Sequence, residues 1–232
     1  MRFSLLALGA AILLLAGCGS TPTASETVTT QPAVTTHVPV SPKPTTFTVF
    51  RFERGVLRPS VVRVPFTTTP ASAALEALSV GGTVTISDGT AHVSVGDLTS
   101  DEAAEVVYTL TQFVSIQRVD VAGRTGLTRD DFAAYVPPIL VESPGAGAEV
   151  KGTFHVSGTA SVFEATLVVQ LVRDGKVIEK HSVTASEGAP GRGTFDTTMH
   201  ATPGDVTVSA FAPSAADGSP QHQVDVPVLV TP

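Results

Sequence analysis

Hydrophobic positions change their period twice along this chain. They run unbroken over residues 5–15, lose all period over residues 19–44, and return from Phe47 onward in patterns that alternate between strand and helix. Residues 47–52 and 61–64 predict two extended runs flanking a turn-prone Arg54-Gly55. Pro70, placed at a first helical position after Thr69, starts a helix whose Ala71, Ala74, Leu75 and Leu78 form one stripe, with Gly81-Gly82 as its stop. Val84 and Ile86 then alternate with Thr85 and Ser87, Asp88-Gly89 supplies a type I′ turn, and Ala91, Val93 and Val95 alternate again, which predicts a β-hairpin. Thr99 and Glu102 make a capping box, and Ala103, Val106, Val107, Leu110 and Val114 recur at helical spacing. Residues 116–121 return as a strand before Gly123.

Past Pro137-Pro138 the helical period disappears. Strands are expected over residues 139–141, 152–156, 165–173, 176–184, 193–199, 205–211 and 223–230, a spacing that argues for a β-sandwich. Leu167, Val169 and Leu171 have the alternation of a strand with one face in a core, and Asp174-Gly175 and Asp217-Gly218 mark turns. The expected organisation is a leader over 1–17, a linker over 18–45, an α+β domain over 46–136 and an all-β sandwich over 137–232.

The leader changes the picture most. Arg2 precedes an apolar stretch of about 11 residues, too short for the ~20 of a membrane-spanning helix and suited to a signal peptide. It ends in Leu15-Ala16-Gly17-Cys18, which resembles the bacterial lipobox. The resemblance implies cleavage before Cys18, acylation of its thiol by diacylglycerol with fatty chains such as palmitate, and a cell-membrane location facing the extracytoplasmic side. Several chains at ~0.8 kcal/mol per buried methylene give a durable anchor. Cys18 is the single cysteine, so an internal disulfide is excluded. Residues 19–44, rich in Thr, Pro, Ser and Val, read as a tether spanning from ~30 Å as a coil to ~80 Å as polyproline II.

Composition narrows the function by exclusion. A net charge of −7 with no Lys/Arg run lacks the footprint of a nucleic-acid partner. His37, His92, His155, His181, His200 and His222 stand singly in sequence, without a ligand-spaced pair, so they read as solvated or half-buried imidazoles and no metal is expected. No P-loop, dinucleotide fingerprint, nucleophile elbow or calcium loop occurs, so no cofactor is expected. Asp101, Glu102 and Glu105 fit the dipole of a helix start, and Asp130-Asp131 fits a solvated passage between domains. Glu164, between Phe163 and Ala165 where the most apolar strand begins, is read as a carboxylate that accepts backbone N–H groups and fixes a sandwich corner, with ligand binding as the second reading. No nucleophile, base or metal held by a second group is legible between Phe47 and Pro232, and the chain is expected not to be an enzyme.

Two stretches resemble known families. The order β-β-α-β-β-α-β, with Arg63-Val64-Pro65, Ala91-His92-Val93-Ser94-Val95 and the run from Glu105 through Gln112-Phe113 into Ile116-Gln117-Arg118-Val119, resembles the GerMN domain of sporulation and spore-germination proteins; the stretch 79–82 is shorter than is common there. Val141-Glu142-Ser143-Pro144, Val156-Ser157-Gly158-Thr159-Ala160, Val162-Phe163-Glu164-Ala165-Thr166, Gly193-Thr194-Phe195 and Asp217-Gly218-Ser219 resemble the immunoglobulin-like domain of bacterial spore germination. The resemblances imply a GerMN-like α+β domain followed by an immunoglobulin-like sandwich, acting through an envelope protein or by self-association. Binding of a small ligand or a cell-wall glycan is the alternative.

Overall fold

The computed structural model describes residues 42–232; Cys18 and the tether as far as residue 41 lie outside the described residues. The first segment opens with a long antiparallel hairpin, β1 (Thr45–Glu53) and β2 (Val56–Val64), turning at Arg54 and Gly55, both at positive φ. The second strand starts earlier than its apolar run, because Arg58 and Ser60 continue the ladder opposite Arg51 and Val49. Helix α1 (Pro70–Leu78) buries Ala71, Ala74, Leu75 and Leu78, the expected stripe. It stops at Ser79, whose left-handed backbone turns its N–H onto the Glu76 carbonyl, ahead of the glycine pair.

Strands β3 (Thr83–Ser87) and β4 (Thr90–Ser94) form the hairpin, with Asp88 and Gly89 both at positive φ. Helix α2 (Ser100–Leu110) carries the chain across to β5 (Arg118–Val121), which pairs parallel to β4 and antiparallel to β6 (Arg124–Leu127). The sheet order is β3-β4-β5-β6, and Ala91, Val93, Val119 and Val121 close one face over the helices. Three expectations need correction here. Val114 is 99% exposed, because the helix ends at Leu110 and the Phe113 N–H folds back onto the Leu110 carbonyl in a tight turn. Ile86 is exposed, because β3 is the outer strand. Strand β6 lacks an apolar alternation and was not expected.

Helix α2 also replaces a missing strand. Along the open edge of β1 the Thr48, Phe50 and Phe52 N–H groups donate to Gln112 Oε1 at 2.9 Å, Thr109 Oγ1 at 3.0 Å and Glu105 Oε1 at 2.6 Å. The spacings fit, since two strand residues advance ~6.7 Å and three or four helical residues ~4.5–6 Å, with Gln112 in the turn just past the helix. Glu105 therefore serves the strand edge, a role that a helix-dipole account of its position misses.

The second segment comprises β7 (Ile139–Ser143), β8 (Ala148–Val150), β9 (Thr153–Ala160), β10 (Thr166–Arg173), β11 (Lys176–Thr184), β12 (Gly193–His200), β13 (Gly204–Pro213) and β14 (Pro220–Val230). A sheet ordered β11-β10-β13-β14-β8 faces one ordered β12-β9-β7. Leu167, Val169, Leu171, Val208 and Ala210 from the first meet Ile139, Val141, Val156, Phe195 and Met199 from the second in one core. All seven expected strands are present, joined by the three-residue β8, too short to show a period. Gly158 and Gly193 sit where backbones approach closely: a Cβ at Gly158 would collide with the Leu140 carbonyl, and one at Gly193 with the backbone of Glu187.

The segments are stitched together. Ala146 exchanges backbone hydrogen bonds with β2, receiving the Val61 N–H at 2.9 Å, while the adjacent Gly147 N–H donates to the Pro227 carbonyl of β14 at 2.9 Å. Arg129 lies over the Tyr108 and Phe50 rings and meets Glu142 at 2.6 Å. Strand β7 turns Ile139 and Val141 into the sandwich and Leu140 into the first segment's core.

Replacing Thr109 by Val keeps its shape and strands the buried Phe50 N–H, so stability should fall by about 1–3 kcal/mol in urea denaturation. Burial, opposed by the Phe52 N–H and the Arg51 charge, holds the Glu105 carboxyl above its ordinary range. With a raised folded pKa, the group's contribution to stability is fully present below the unfolded value of about 4.3 and is lost as pH rises through the folded value. Glu105→Gln should therefore raise Tm at neutral pH, and the gain should disappear below about pH 4; a lower neutral Tm would contradict this sign. Gly158→Ala should cost about 1–3 kcal/mol, whereas Gly96→Ala, with open space around its Cβ, should stay within ~0.5 kcal/mol.

Candidate functional site

The carboxylates singled out in the sequence are placed apart. Glu102 completes its capping box with Thr99, and hydrogen bonds from the Thr99 backbone and side chain hold its carboxyl below the ordinary range. Asp131 does the same for Thr128 at the start of a 3₁₀ segment, Arg129–Tyr135, lowered in the same way. Glu164 departs from its expected role. It is exposed, it and Ala165 adopt left-handed backbone, and its carboxylate has no hydrogen-bond partner among the described residues. The corner is held by main chain instead: the Val162 carbonyl receives the Ala165 and Ala189 N–H groups, and the Ala165 carbonyl receives that of Ala185.

The described histidines are exposed or half-buried, as expected, and most of them carry a carboxylate partner that sequence spacing does not show. Cys18 and His37 lie outside the described residues, and His222 is exposed. The other four each meet a carboxylate contributed by a neighbouring residue or strand. His155 Nδ1 lies 3.1 Å from Asp196 across β9 and β12. Glu179 on β11 meets His181 Nε2 at 3.0 Å and His200 Nδ1 of β12 at 3.2 Å. Burial raises the Glu179 carboxyl, but the His200 N–H and ring and the two nearby imidazoles outweigh it, and the net position is below the ordinary range. Among the described residues no group of three or more His, Cys, Asp and Glu side chains is arranged to hold a metal ion.

The fourth imidazole, His92, completes a connected triad. The Asp88-Gly89 turn sets Ser87 opposite Thr90 and His92 opposite Thr85, and parallel pairing sets Asp120 beside His92. Ser87 Oγ lies 2.9 Å from His92 Nε2, and Asp120 Oδ2 lies 3.0 Å from His92 Nδ1. The other Asp120 oxygen accepts the Gly126 N–H at 2.7 Å, which fixes the carboxylate. In the tautomer with the proton on Nδ1, the Asp120 carboxylate accepts from that nitrogen and Nε2 accepts from the serine hydroxyl. Hydroxyl, imidazole and carboxylate thus lie in one hydrogen-bonded row on the sheet face away from the helices.

This contact is one that the sequence reading, in which no nucleophile, base or metal held by a second group is legible between Phe47 and Pro232, does not anticipate. The signal was present as the polar phase of the hairpin, with Ser87 and His92 on one face, and in Asp120 between Val119 and Val121. What sequence spacing hides is the parallel pairing of β4 with β5 across α2. The triad is open to solvent, with the His92 side chain 46% and the Asp120 side chain 27% exposed. His92 and Asp120 also line a shallow groove of about 390 Å³ with Thr85, Ser94 and Arg124.

No curated protein matches the chain. Among solved structures it is similar to an engineered protein from the Northeast Structural Genomics Consortium, with 19% identity over 60% of this chain and 30% of that one and a TM-score of 0.30. It is also similar to the tandem GerMN domains of the sporulation protein GerM from Bacillus subtilis, with 16% identity over 81% of this chain and 61% of that one and a TM-score of 0.33. The chain therefore spans less than two thirds of either structure. Sequence similarity is specific in the second segment, where residues 138–219 match the family described as the immunoglobulin-like domain of bacterial spore germination.

Proposed function

We propose that this chain is a lipoprotein, anchored through Cys18 to the extracytoplasmic side of the cell membrane, whose body docks an envelope protein or a second copy of itself. The lipobox-like Leu15-Ala16-Gly17-Cys18 and the tether behind it support the anchor. The matched family, which is not an enzyme family, and the GerMN-like motifs of the first segment support a place in an envelope assembly. No helix among the described residues is long and apolar enough to cross a membrane.

One observation carries the docking role: the free edge of β3. Its five residues, Thr83 to Ser87, bear no charge and no proline, and all but Val84 are exposed. With Ser87 and Thr90 closing a two-residue turn, Thr85 faces His92 in the ladder, so the backbone groups of Val84 and Ile86 point outward. Folded proteins commonly guard such edges with charge. The outer strand β11 is guarded in that way, by Lys176, Glu179 and Lys180, whereas β3 is left ready to accept another strand. The ligand-binding alternative has its nearest support in a cavity of about 290 Å³ between the β1–β2 hairpin and β14, where Arg58 Nε is buried without a hydrogen-bond partner.

Crosslinking in intact cells should trap the wild-type protein in a discrete larger species, and Ile86→Lys should abolish that species while leaving Tm nearly unchanged. A monomer in the envelope, or a species indifferent to Ile86→Lys, would overturn docking through β3. Cys18→Ser should release the protein from membranes or leave its leader uncleaved; normal retention would contradict the anchor.

A further inference from the structure

We propose that Ser87, His92 and Asp120 form a site for acyl transfer to water, taking small carboxylic esters with good leaving groups. Ser87 and His92 stand at the distance and tautomer in which Nε2 can remove the hydroxyl proton as Oγ attacks a carbonyl carbon. Asp120, held by the Gly126 N–H, sets that tautomer and stabilises the imidazolium that forms. In the first half-reaction the Ser87 Oγ–acyl bond forms, the ester C–O bond breaks, and the leaving alkoxide takes its electron pair and the proton from His92. In the second, His92 deprotonates a water, the water oxygen bonds to the acyl carbon, and the Ser87 oxygen leaves and recovers the proton. The products are a carboxylic acid and an alcohol, and water is the sole co-reactant.

The surroundings set the substrate class. The triad sits on an open sheet face beside a shallow groove, so nothing encloses a long acyl chain or excludes water. An oxyanion-hole donor is worth ~10²–10³ in rate, and the substrate class assigned here relies on none. General-base activation of the serine, worth ~10²–10⁴, remains. That suffices for esters with phenolate-like leaving groups and falls short for amides, whose departure depends on a stabilised tetrahedral intermediate. Ser87 ends the same strand whose edge is proposed to dock, and Ile86→Lys, which blocks that edge and leaves Ser87, His92 and Asp120 in place, separates the two: it should abolish docking and leave esterase activity unchanged.

The purified full chain should hydrolyse p-nitrophenyl acetate at least tenfold above an equal concentration of Ser87→Ala. It should also react with a fluorophosphonate probe once per chain, at Ser87 by peptide mass mapping. His92→Ala should reduce both to the Ser87→Ala level, and Asp120→Asn should lower kcat and change the pH profile. His155→Ala and His181→Ala, which alter the other imidazole–carboxylate pairs, should leave the rate unchanged. Ser87→Cys guards against a folding artefact: its alkylation by iodoacetamide should be faster with His92 present than in the Ser87→Cys/His92→Ala double variant. Wild-type turnover equal to Ser87→Ala, probe label on another residue, or cysteine alkylation indifferent to His92 would each overturn the assignment.

Discussion

A strand edge that cannot reach water must find donors and acceptors elsewhere, and β1 finds them on a helix. Thr48, Phe50 and Phe52 project N–H groups on the side where a neighbouring strand would lie, and Gln112, Thr109 and Glu105 meet them in turn. Those bonds fix the height and rotation of α2 against the hairpin. The rest of the first segment is then constrained, since the apolar face of α2 must cover β4 and β5 and its Tyr108 must lie beside Phe50. Arg129 stacks on that aromatic pair and carries the order across to Glu142 in the sandwich. A sequence of short-range satisfactions thus becomes a two-segment body with a specific junction.

Much of this was legible because alternation and helical stripes report directly on burial. The stripe of α1, the Thr99–Glu102 box, the Asp88-Gly89 and Asp174-Gly175 turns and the buried phase of β10 all follow from local pattern. The failures share a cause as well. Val114 continues the helical spacing, yet the chain turns after Leu110; Ile86 continues the apolar phase, yet β3 has nothing outside it. Periodicity states which residues share a face and is silent about where an element stops and whether that face is covered. The short strands β6 and β8 are set by pairing partners, Val119 with Leu127 and Val228 with Ala148, and leave little local trace.

The candidate site was less legible than the fold, for a related reason. Ser87 and His92 lie five residues apart and meet because a two-residue turn returns the chain, which is local information. Asp120 arrives by a parallel crossover through α2, and no motif spacing encodes that meeting. Glu164 shows the opposite error. Its position at a sandwich corner invited a role for the carboxylate, but the corner is made by backbone amides, and the side chain stands in solvent. The glycines of the immunoglobulin-like motif have a clearer reason: Gly158 lets β7 and β9 approach until a Cβ would meet the Leu140 carbonyl.

Strand β7 has a consequence for how this chain can vary. Leu140 belongs to one core while its neighbours Ile139 and Val141 belong to the other, so the period-two geometry of a strand divides three consecutive residues between two interiors. Gain or loss of a single residue here reverses every side chain of β7 at once, turning leucine toward the sandwich and the β-branched pair toward the helices. Most joints between domains tolerate changes of length because they are loops. This one is a shared wall, and drift in its length is felt on both sides together.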